Sequence, residues 1–511
     1  MKQKRAFYHL LYTLFPVLFL YAYNIEEVLL QVIYIPLVVS LLGALLIWGI
    51  WLLLMKNGHK AALLTFLCLF LFFSFGYFRN IIKGVLPVSN RLPPLIFPVS
   101  WGLLFGFLGY LAVRTRRDLG RFTTAANLAM TILILIPVAQ IALFNLTPVR
   151  MTEPDNPIPD ALSLSHNLEA PEPGFPDIYY LIFDRYANSK ILEEYYDFDN
   201  REFLDAMKAQ GFYIAGNSRC NYPRSYLSIS SSLNMQYHNH LVKEGPIRKR
   251  AIYSLLKDHK VFRLLKSLGY KYYQFGSWWE ATKYNENADF IYRGAESIDL
   301  NQDFIMQLMK TTLLGPFTAK TAMADIIRAS VWATFAKLAE MPDEEGPKFV
   351  FLHILLPHSP FLFEADGSVL EPLVRKRRTI KKNYVNQLKF TNSRILELVA
   401  VLLEKSKKPP IIIIQSDEGP TKKEFSFGGM TNIKQPERAE IMTRIRCRIL
   451  NMYYLPGVDR KDLYASISPV NSFRLIFNLY FGADFPLLED NTYFGEADKK
   501  ILKRFQLLNI K

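Results

Sequence analysis

Residues 177–184 read Asp-Ile-Tyr-Tyr-Leu-Ile-Phe-Asp, a run of apolar and aromatic residues enclosed by two aspartates. Such a run, without polar alternation, predicts a strand that is buried on both faces. Further strands are predicted by similar runs at 270–275, 349–355, 411–415 and 446–454. Helical stretches lie between the runs, at 201–210, 226–235, 261–268, 382–405 and 469–480. This alternation predicts an α/β domain with a mostly parallel central sheet.

Residues with metal-binding side chains come directly after, or within, the predicted strands. Asp184 follows the first strand, and Asp417 and Glu418 follow the strand at 411–415. His353 lies within the strand at 349–355, and His358 lies just beyond it. Ligands of open α/β sheets bind at the carboxyl ends of the strands, so we expect these side chains to converge. Packed carboxylates repel one another unless a cation neutralises them, and this edge therefore predicts a divalent metal site.

A polar loop leads into the helix predicted at 226–235. Residues 217–225 read Asn-Ser-Arg-Cys-Asn-Tyr-Pro-Arg-Ser, and the chain continues with further serines and apolar residues. The positive end of a helix dipole favours an alkoxide and a bound anion together. Ser225 is therefore a candidate nucleophile, or it is simply the residue that caps the helix.

Four motifs together resemble the alkaline phosphatase/sulfatase superfamily. They are Asp-Ile-Tyr-Tyr-Leu-Ile-Phe-Asp, Asn-Tyr-Pro-Arg-Ser, Phe-Leu-His-Ile-Leu-Leu-Pro-His-Ser-Pro-Phe and Ile-Ile-Gln-Ser-Asp-Glu-Gly-Pro. The chain from about residue 177 to residue 488 resembles, more narrowly, the membrane-anchored phosphoglycerol and phosphoethanolamine transferases such as lipoteichoic acid synthase. The resemblance implies an alkaline phosphatase-like fold and a metal-dependent transferase or hydrolase.

The resemblance also implies a role for each candidate residue. The implied metal ligands are Asp184, Ser225, Asp417 and Glu418. The implied catalytic residues are Ser225 as nucleophile, with His353 and His358. Either histidine would contact the transferred group or protonate the leaving oxygen. Asn221 and Arg224, on the loop before Ser225, are the implied substrate-binding residues.

Glu418 departs from the superfamily, which usually has a histidine after the aspartate. The resulting all-oxygen ligand set suits Mn²⁺, Mg²⁺ or Ca²⁺ better than Zn²⁺. None of the eight histidines follows His358, which disfavours a site with two zinc ions. We therefore expect one divalent metal ion. The departure also leaves open a second hypothesis, that the chain is a catalytically inactive sulfatase-like protein that binds an envelope glycan or a membrane partner.

Formylglycine chemistry, as used by sulfatases, is disfavoured by the loop before Ser225. The sulfatase signature is Cys-x-Pro-x-Arg, whereas Cys220-Asn-Tyr-Pro-Arg has its proline one position later. The leading hypothesis is a covalent phosphoryl-type ester on Ser225 that passes to water or to an acceptor hydroxyl or amine. The expected substrates are phosphate esters, rather than sulfate esters, of envelope lipids or glycans.

Five apolar runs without Lys, Arg, Asp or Glu precede this domain. They lie at 7–23, 28–54, 61–78, 95–113 and 126–146. Each run can span a bilayer, although the first could instead be a cleaved signal peptide. The N-terminal segment and the short loops on its side of the membrane hold nine Lys and Arg residues, whereas the loops on the other side hold three. Since positive charge favours the cytoplasmic side, this predicts a cytoplasmic N-terminus. We predict a transmembrane domain at 1–150, a proline-rich linker at 151–176 and an extracytoplasmic catalytic domain at 177–511, in the inner (cytoplasmic) membrane.

The net charge of +15 lies mostly around the apolar runs, because residues 1–150 hold 13 basic and 3 acidic side chains. A nucleic-acid partner is therefore not expected. The absence of Lys, Arg, Asp and Glu within the runs disfavours a transporter. The expected partners are the lipid bilayer and a lipid or lipid-linked glycan substrate, and the sequence carries no indication of an oligomeric state. Cys220 and Cys447 could pair outside the cytoplasm.

Overall fold

The N-terminal part of the chain is helical. The computed structural model of the 511-residue chain describes residues 5–25, 28, 30–85, 96–147, 174–277, 279–294, 302–315, 320–427, 434–498 and 501–510. The N-terminal helices are α1 (Tyr8–Tyr23), α2 (Tyr34–Met55), α3 (Gly58–Val85), α4 (Ile96–Arg114) and α5 (Gly120–Leu146). Four of them, α2 to α5, are long and apolar enough to cross a membrane, whereas α1 has 16 residues. Large apolar side chains such as Leu46 and Leu53 are exposed on their surface, as expected of a lipid-facing side.

The remaining chain alternates between helices and strands. The helices are α6 (Ser189–Tyr196), α7 (Arg201–Ala209), α8 (Ser225–Leu233), α9 (Lys249–Lys257), α10 (Lys260–Ser267), α11 (Glu280–Lys283), α12 (Gln302–Thr311), α13 (Lys320–Glu340), α14 (Pro372–Arg377), α15 (Ile380–Lys405), α16 (Gln435–Cys447) and α17 (Pro469–Phe481). The strands are β1 (Ile178–Phe183), β2 (Tyr213–Ile214), β3 (Ile247–Arg248), β4 (Lys271–Phe275), β5 (Phe290–Tyr292), β6 (Lys348–Ile354), β7 (Ile411–Gln415), β8 (Asn451–Tyr454), β9 (Tyr493–Asp498) and β10 (Ile501–Leu507). The predicted fold class, apolar helices followed by an α/β domain, is confirmed.

The central sheet has seven strands in the order β2-β8-β7-β1-β6-β4-β5. β1 lies in the middle and pairs in parallel with β6 and β7, while β8 and β2 continue one side in antiparallel pairing. β4 and β5 extend the other side in parallel. Every residue of β1, β6 and β7 is buried, as a sheet covered on both faces requires. The middle of the sheet is therefore parallel, and its strands end at one edge.

Alternate residues of β1 face two different hydrophobic clusters. Tyr179, Leu181 and Phe183 pack in a cluster that includes helix α15. Ile178, Tyr180 and Ile182 pack in a cluster that includes α8, α10 and α17. The domain thus has helices on both sides of the sheet. This three-layer arrangement holds the strand ends rigidly, which is what a site built on them needs.

Two features of the domain differ from the sequence-based expectation. A second sheet, with three antiparallel strands in the order β3-β10-β9, was not predicted. The strand predicted at 446–454 begins only at Asn451, because residues up to Cys447 complete helix α16. Short 3-10 helices also occur, at Leu30–Ile33, Asn239–Val242, Met341–Asp343 and Arg460–Asp462.

The chain divides into two compact units. One consists of Met1–Pro148 with Ser297–Met323, and the other of Val149–Glu296 with Ala324–Lys511. The first therefore includes α12, which follows β5 in the sequence, and this differs from the predicted division into 1–150 and 177–511. Of the predicted linker at 151–176, residues 151–173 lie outside the described part of the chain.

Candidate metal centre and nucleophile

Three buried side chains meet at the carboxyl edge of the central sheet. Asp184 directly follows β1, Asp417 lies two residues beyond β7, and His353 is on β6 opposite Ile182. Each offers one ligand atom, and these atoms lie within 4.8 Å of one another. Asp184, Asp417 and His353 are 3%, 2% and 0% exposed. The convergence expected from the strand ends is therefore present, with the histidine as the third member.

Four polar atoms of this group make no hydrogen bond among the described residues. Oδ1 of Asp184, both oxygens of Asp417 and Nε2 of His353 are buried without a hydrogen bond. A buried polar atom without a partner costs about 1–3 kcal/mol, and more if it is charged. Two carboxylates and one imidazole with free lone pairs form a ligand set that fits a divalent cation, including Zn²⁺ as well as Mn²⁺ or Mg²⁺.

The surroundings of the group disfavour negative charge. Burial, and then the charge of Asp417, raise the pKa of Asp184 well above its usual value. Burial and the charge of Glu418 raise the pKa of Asp417 to about 6, although the Ser225 hydroxyl and the Arg185 guanidinium oppose this. Burial also lowers the pKa of His353 to about 3, so its imidazole is neutral. A bound cation would reverse the penalty on both carboxylates.

The other nitrogen of His353 is held by a hydroxyl. Nδ1 lies 2.8 Å from Oγ1 of Thr282, which in turn lies 3.1 Å from Oγ of Ser277. Since a metal-binding Nε2 needs its lone pair, the proton of the neutral ring belongs on Nδ1, and Nδ1 donates to Thr282. An added Cβ on Gly276 would lie 2.1 Å from the carbonyl oxygen of Lys283, so only glycine permits this close approach. The short helix α11, which carries Thr282, is thus tightly packed beside the end of β4.

Ser225 is the first residue of helix α8, and it is not the cap. The N-cap is Arg224, and the hydroxyl of Ser225 donates to Oε1 of Glu418 across 3.3 Å. The interpretation of Ser225 as a simple helix cap is therefore wrong. The hydroxyl lies at the positive end of a nine-residue helix, beside the loop that carries Asp417. Its predicted roles as nucleophile and metal ligand remain predictions.

Glu418 lies between two arginines. Its Oε1 is 3.0 Å from Nη2 of Arg185, and its Oε2 accepts hydrogen bonds from Nε and Nη2 of Arg446, at 2.9 and 2.8 Å. Both oxygens are therefore engaged, and the side chain is not part of the group formed by the other acids and His353. The expectation that Glu418 is a metal ligand therefore remains a prediction. His353 adds a nitrogen ligand to the group, and such a mixed set fits Zn²⁺ as well as Mn²⁺ or Mg²⁺.

His358 lies near the same acids. Its Nε2 is 3.9 Å from Oδ2 of Asp184, and its Nδ1 is hydrogen-bonded to the carbonyl oxygen of Ser359. A carbonyl oxygen can only accept, so Nδ1 carries the proton and Nε2 presents a lone pair when the ring is neutral. Burial lowers the pKa of His358 to about 4, which keeps the ring neutral at pH 7. In this form His358 accepts a proton rather than donating one.

The two predicted substrate-binding residues differ in what they contact. The amide of Asn221 is fully buried; it donates to Ser231 and Ser232 and accepts from the backbone N–H of Val470. Its side chain therefore links α8 to α17, and its role in substrate binding remains a prediction. The guanidinium of Arg224 lies over the ring of Phe494, 5.7 Å from its centroid, while its Nε has no hydrogen bond among the described residues.

Sequence reasoning missed Arg185 and Arg446. Arg185 contacts Asp184 and Glu418 and has φ +70°, a left-handed backbone conformation that is uncommon for non-glycine residues and costs about 1 kcal/mol or more. Its position directly after Asp184 was an available signal. Arg446 was assigned to a strand, so nothing in the sequence connected it with Glu418.

The comparison with protein families decides the family. The model of the sulfatase family matches residues 192–466, which is more than half of the chain. The chain belongs to the sulfatase family. Within this sulfatase-family domain the match includes Ser225, His353 and Asp417, while Asp184 lies just ahead of it. The resemblance expected from the four motifs is confirmed, and no curated protein matches the chain.

Several solved structures are similar to the sulfatase-family chain at low identity. The C-terminal periplasmic domain of EptC from Escherichia coli is 13% identical, with a TM-score of 0.43, over 66% of this chain and 95% of that one. The integral membrane lipooligosaccharide phosphoethanolamine transferase A (EptA) from Neisseria meningitidis is 12% identical, with a TM-score of 0.41, over 93% and 95%. The periplasmic domain of phosphoethanolamine transferase EptC from Campylobacter jejuni is 12% identical, with a TM-score of 0.35, over 60% and 89%. Values this low carry no inference about activity.

Proposed function

We propose that this sulfatase-family chain is a membrane-anchored, metal-dependent transferase or hydrolase of phosphate esters, with Ser225 as its nucleophile. One observation carries the proposal. A hydroxyl at the positive end of α8 lies beside a buried group of two acids and a histidine, four of whose polar atoms make no hydrogen bond among the described residues. A divalent ion held by Asp184, His353 and Asp417 would neutralise a phosphate oxygen and the developing alkoxide.

In the first step the chain supplies the nucleophile and an acceptor for its proton. The Ser225 O–H donates to Glu418 in the structure, so this carboxylate can accept the proton that leaves as the oxygen attacks phosphorus. The new O–P bond forms while the bond between phosphorus and the leaving oxygen breaks. The products are a phosphoserine-type ester at Ser225, protonated Glu418 and a leaving oxygen that takes its proton from solvent.

In the second step the ester passes to water or to an acceptor hydroxyl or amine. His358 presents a lone pair on Nε2, which suits it to take the proton from the attacking group. The expectation that a histidine protonates the leaving oxygen is thereby replaced by a proposal for a general base. Glu418 returns its proton to Ser225 as the bond between Ser225 and phosphorus breaks, and His358 then releases its proton to solvent.

The location of the chain bears on its substrate. We propose that all five N-terminal helices, α1 to α5, span the inner membrane and that the N-terminus is cytoplasmic, so that the fifth crossing places the α/β domain outside the cytoplasm. This location would favour a lipid or a lipid-linked glycan of the envelope as donor or acceptor, because the anchor raises the local concentration of such substrates. Cysteine labelling of intact and permeabilised cells, with one new cysteine in the loop between α2 and α3, tests the orientation.

The chemistry is tested by peptide mass spectrometry of the segment that contains Ser225. Detergent-purified full-length protein is incubated with Mn²⁺ or Mg²⁺ and an envelope lipid extract. An added phosphate-containing mass on Ser225, absent from Ser225→Ala, supports the proposal. Ser228→Ala is the matched control, since its hydroxyl is buried in the same helix without a hydrogen bond among the described residues. Product formation by Ser225→Ala at the wild-type rate would contradict the hypothesis that Ser225 is the nucleophile. If neither the wild-type protein nor any variant forms product while metal is bound, the hypothesis of a catalytically inactive sulfatase-like protein is favoured.

A further inference from the structure

Helix α12 and the turn after it pack within the helical unit. The backbone N–H of Leu313 donates to the carbonyl oxygen of Phe72 in α3, at 2.8 Å. An added Cβ on Gly76 would lie 2.1 Å from the carbonyl oxygen of Lys310, so α3 and the end of α12 are in backbone contact. Phe304 and Leu308 are buried in the same cluster as residues of α1 and α3. A segment that follows β5 in sequence is therefore part of the helical unit.

A large apolar cavity lies between α12 and the N-terminal helices. Its volume is about 750 Å³, and its walls come from α2, α3, α4, α12 and the turn after α12. Among its lining residues, polar side-chain groups are carried only by Ser40, Cys68, Thr312 and Trp101. The indole N–H of Trp101 donates to the backbone carbonyl oxygen of Leu71. Ile35 and Val39 line the cavity and are 55% and 61% exposed. The cavity therefore opens onto the apolar outer surface of α2.

We propose that this cavity binds the hydrocarbon chains of a membrane lipid. Its volume lies within the range of small-molecule sites, which is about 300–1,000 Å³. The lining offers almost no partners for water, and apolar cavities without such partners do not hold ordered water. The exposed wall on α2 belongs to a helix that is long and apolar enough to cross a bilayer, so the material facing the opening is lipid. That the bound lipid is also the donor or acceptor rests on the function proposed above.

Two glycines allow the cavity to be filled without disturbing the backbone. Gly43 on α2 and Gly102 on α4 line it, and an added Cβ at either meets no atom within 4 Å. Gly49 on α2 and Gly106 on α4 have the same free space but do not line the cavity. Gly43→Leu and Gly102→Leu are therefore test variants, and Gly49→Leu and Gly106→Leu are their controls on the same helices.

The test is photolabelling with a phospholipid that carries a diazirine near the end of one acyl chain. Full-length protein in nanodiscs containing this lipid is illuminated, and the labelled peptides are located by mass spectrometry. We expect labels on residues 305–314 and 68–73 in the wild-type protein and in both controls. We expect labelling there to fall about tenfold in each cavity variant, because leucine displaces methylenes whose burial drives binding.

The outcomes separate lipid binding from catalysis. Unchanged labelling in both cavity variants, or an equal loss in the controls, would overturn the proposal. Labelling that is confined to outward-facing residues such as Leu46 would do the same, since it would indicate only the surrounding bilayer. Ser225→Ala is expected to label like the wild-type protein, so failure of the proposed chemistry leaves this result intact.

A different observation concerns Cys220 and Cys447. The antiparallel bridge between Arg219 and Arg448 places the two cysteines opposite each other, and the N–H of Cys220 donates to the carbonyl oxygen of Cys447 at 2.9 Å. The last residue of α16 is thus in backbone contact with the loop before Ser225. Both thiols are fully buried, and burial first, then the neighbouring thiol of Cys447, raises the pKa of Cys220 well above its usual value. Two cysteines in backbone contact whose thiols interact are placed for a disulfide.

We infer that these cysteines form a disulfide if the α/β domain is extracytoplasmic, as proposed. The two thiols would lose two protons and two electrons to a disulfide donor, which becomes a dithiol. The bond would link the loop before Ser225 to the end of α16, next to Arg446. It would thus fix the backbone on both sides of the Ser225–Glu418 contact.

Alkylation of the acid-trapped, denatured protein tests the bridge. We expect Cys68 to be alkylated without reduction, and Cys220 and Cys447 only after reduction, with a linked peptide pair before it. In Cys447→Ser, Cys220 should become alkylated without reduction. Free thiols at both positions in wild-type protein, when cysteine labelling has placed the α/β domain outside the cytoplasm, would overturn the inference.

Discussion

The hydroxyl of Thr282 should control how tightly the candidate centre binds metal. Thr282→Val keeps the shape of the side chain and removes the acceptor for Nδ1–H of His353, which is 2.8 Å away and buried. The unsatisfied N–H should cost about 1–3 kcal/mol of stability. It also frees the ring to change tautomer, after which Nε2 carries a proton and no longer coordinates. Loss of such a partner typically weakens metal binding by about 10–100-fold.

The assay is competition for Mn²⁺ between full-length protein in detergent and a fluorescent chelator. Thr282→Ser is the matched control, because it keeps the hydroxyl and loses only a methyl group, and we expect it to bind like the wild-type protein. Unchanged Mn²⁺ affinity in Thr282→Val would refute the reasoning, since it would show that His353 is not a ligand or that Thr282 does not orient it.

Further perturbations are expected to affect stability in defined directions. Arg446→Gln should lower the free energy of unfolding by about 2 kcal/mol because it leaves buried Glu418 with one arginine, and adding Glu418→Gln should recover part of the loss in a thermal melt. Removing metal with EDTA should lower the melting temperature at pH 7, and readdition of Mn²⁺ should restore it. Burial lowers the pKa of His259 from 6.5 to about 3, so its contribution to stability is complete above pH 6.5 and is lost as pH falls towards 3. His259→Asn, which can still accept from the N–H of Phe262, should therefore show a shallower loss of melting temperature between pH 7 and pH 5. Gly276→Ala should displace the turn at Lys283 and reduce metal affinity as Thr282→Val does, whereas an unchanged affinity would show that the turn tolerates the contact.

Much of the candidate centre could be predicted from the sequence because strand ends are local features. Asp184 follows an unbroken apolar run, and Asp417 lies two residues beyond another, so the rule for parallel sheets brings them together. His353 was found for the same reason, although its role was read differently. The fold class followed from the same alternation of apolar runs and helical stretches.

The contacts that could not be predicted join residues that are distant in sequence. Arg446, the partner of Glu418, is 28 residues further along and lies in a helix that the sequence favoured as a strand. The hydrogen bond between Thr282 and His353 joins residues that are 71 positions apart, and no sequence motif indicates it. Helix α12 is amphipathic and only ten residues long, so nothing in its composition indicated that it packs with the apolar helices.

The most direct test of the account is the metal content of three purified full-length proteins after dialysis against Mn²⁺ and then against metal-free buffer. We predict about one ion per chain in the wild-type protein and in Glu418→Gln, because both oxygens of Glu418 contact arginines. We predict close to none in Asp417→Asn, because Asp417 belongs to the group that holds the ion. Equal metal content in the wild-type protein and Asp417→Asn, or loss of metal only in Glu418→Gln, would contradict it.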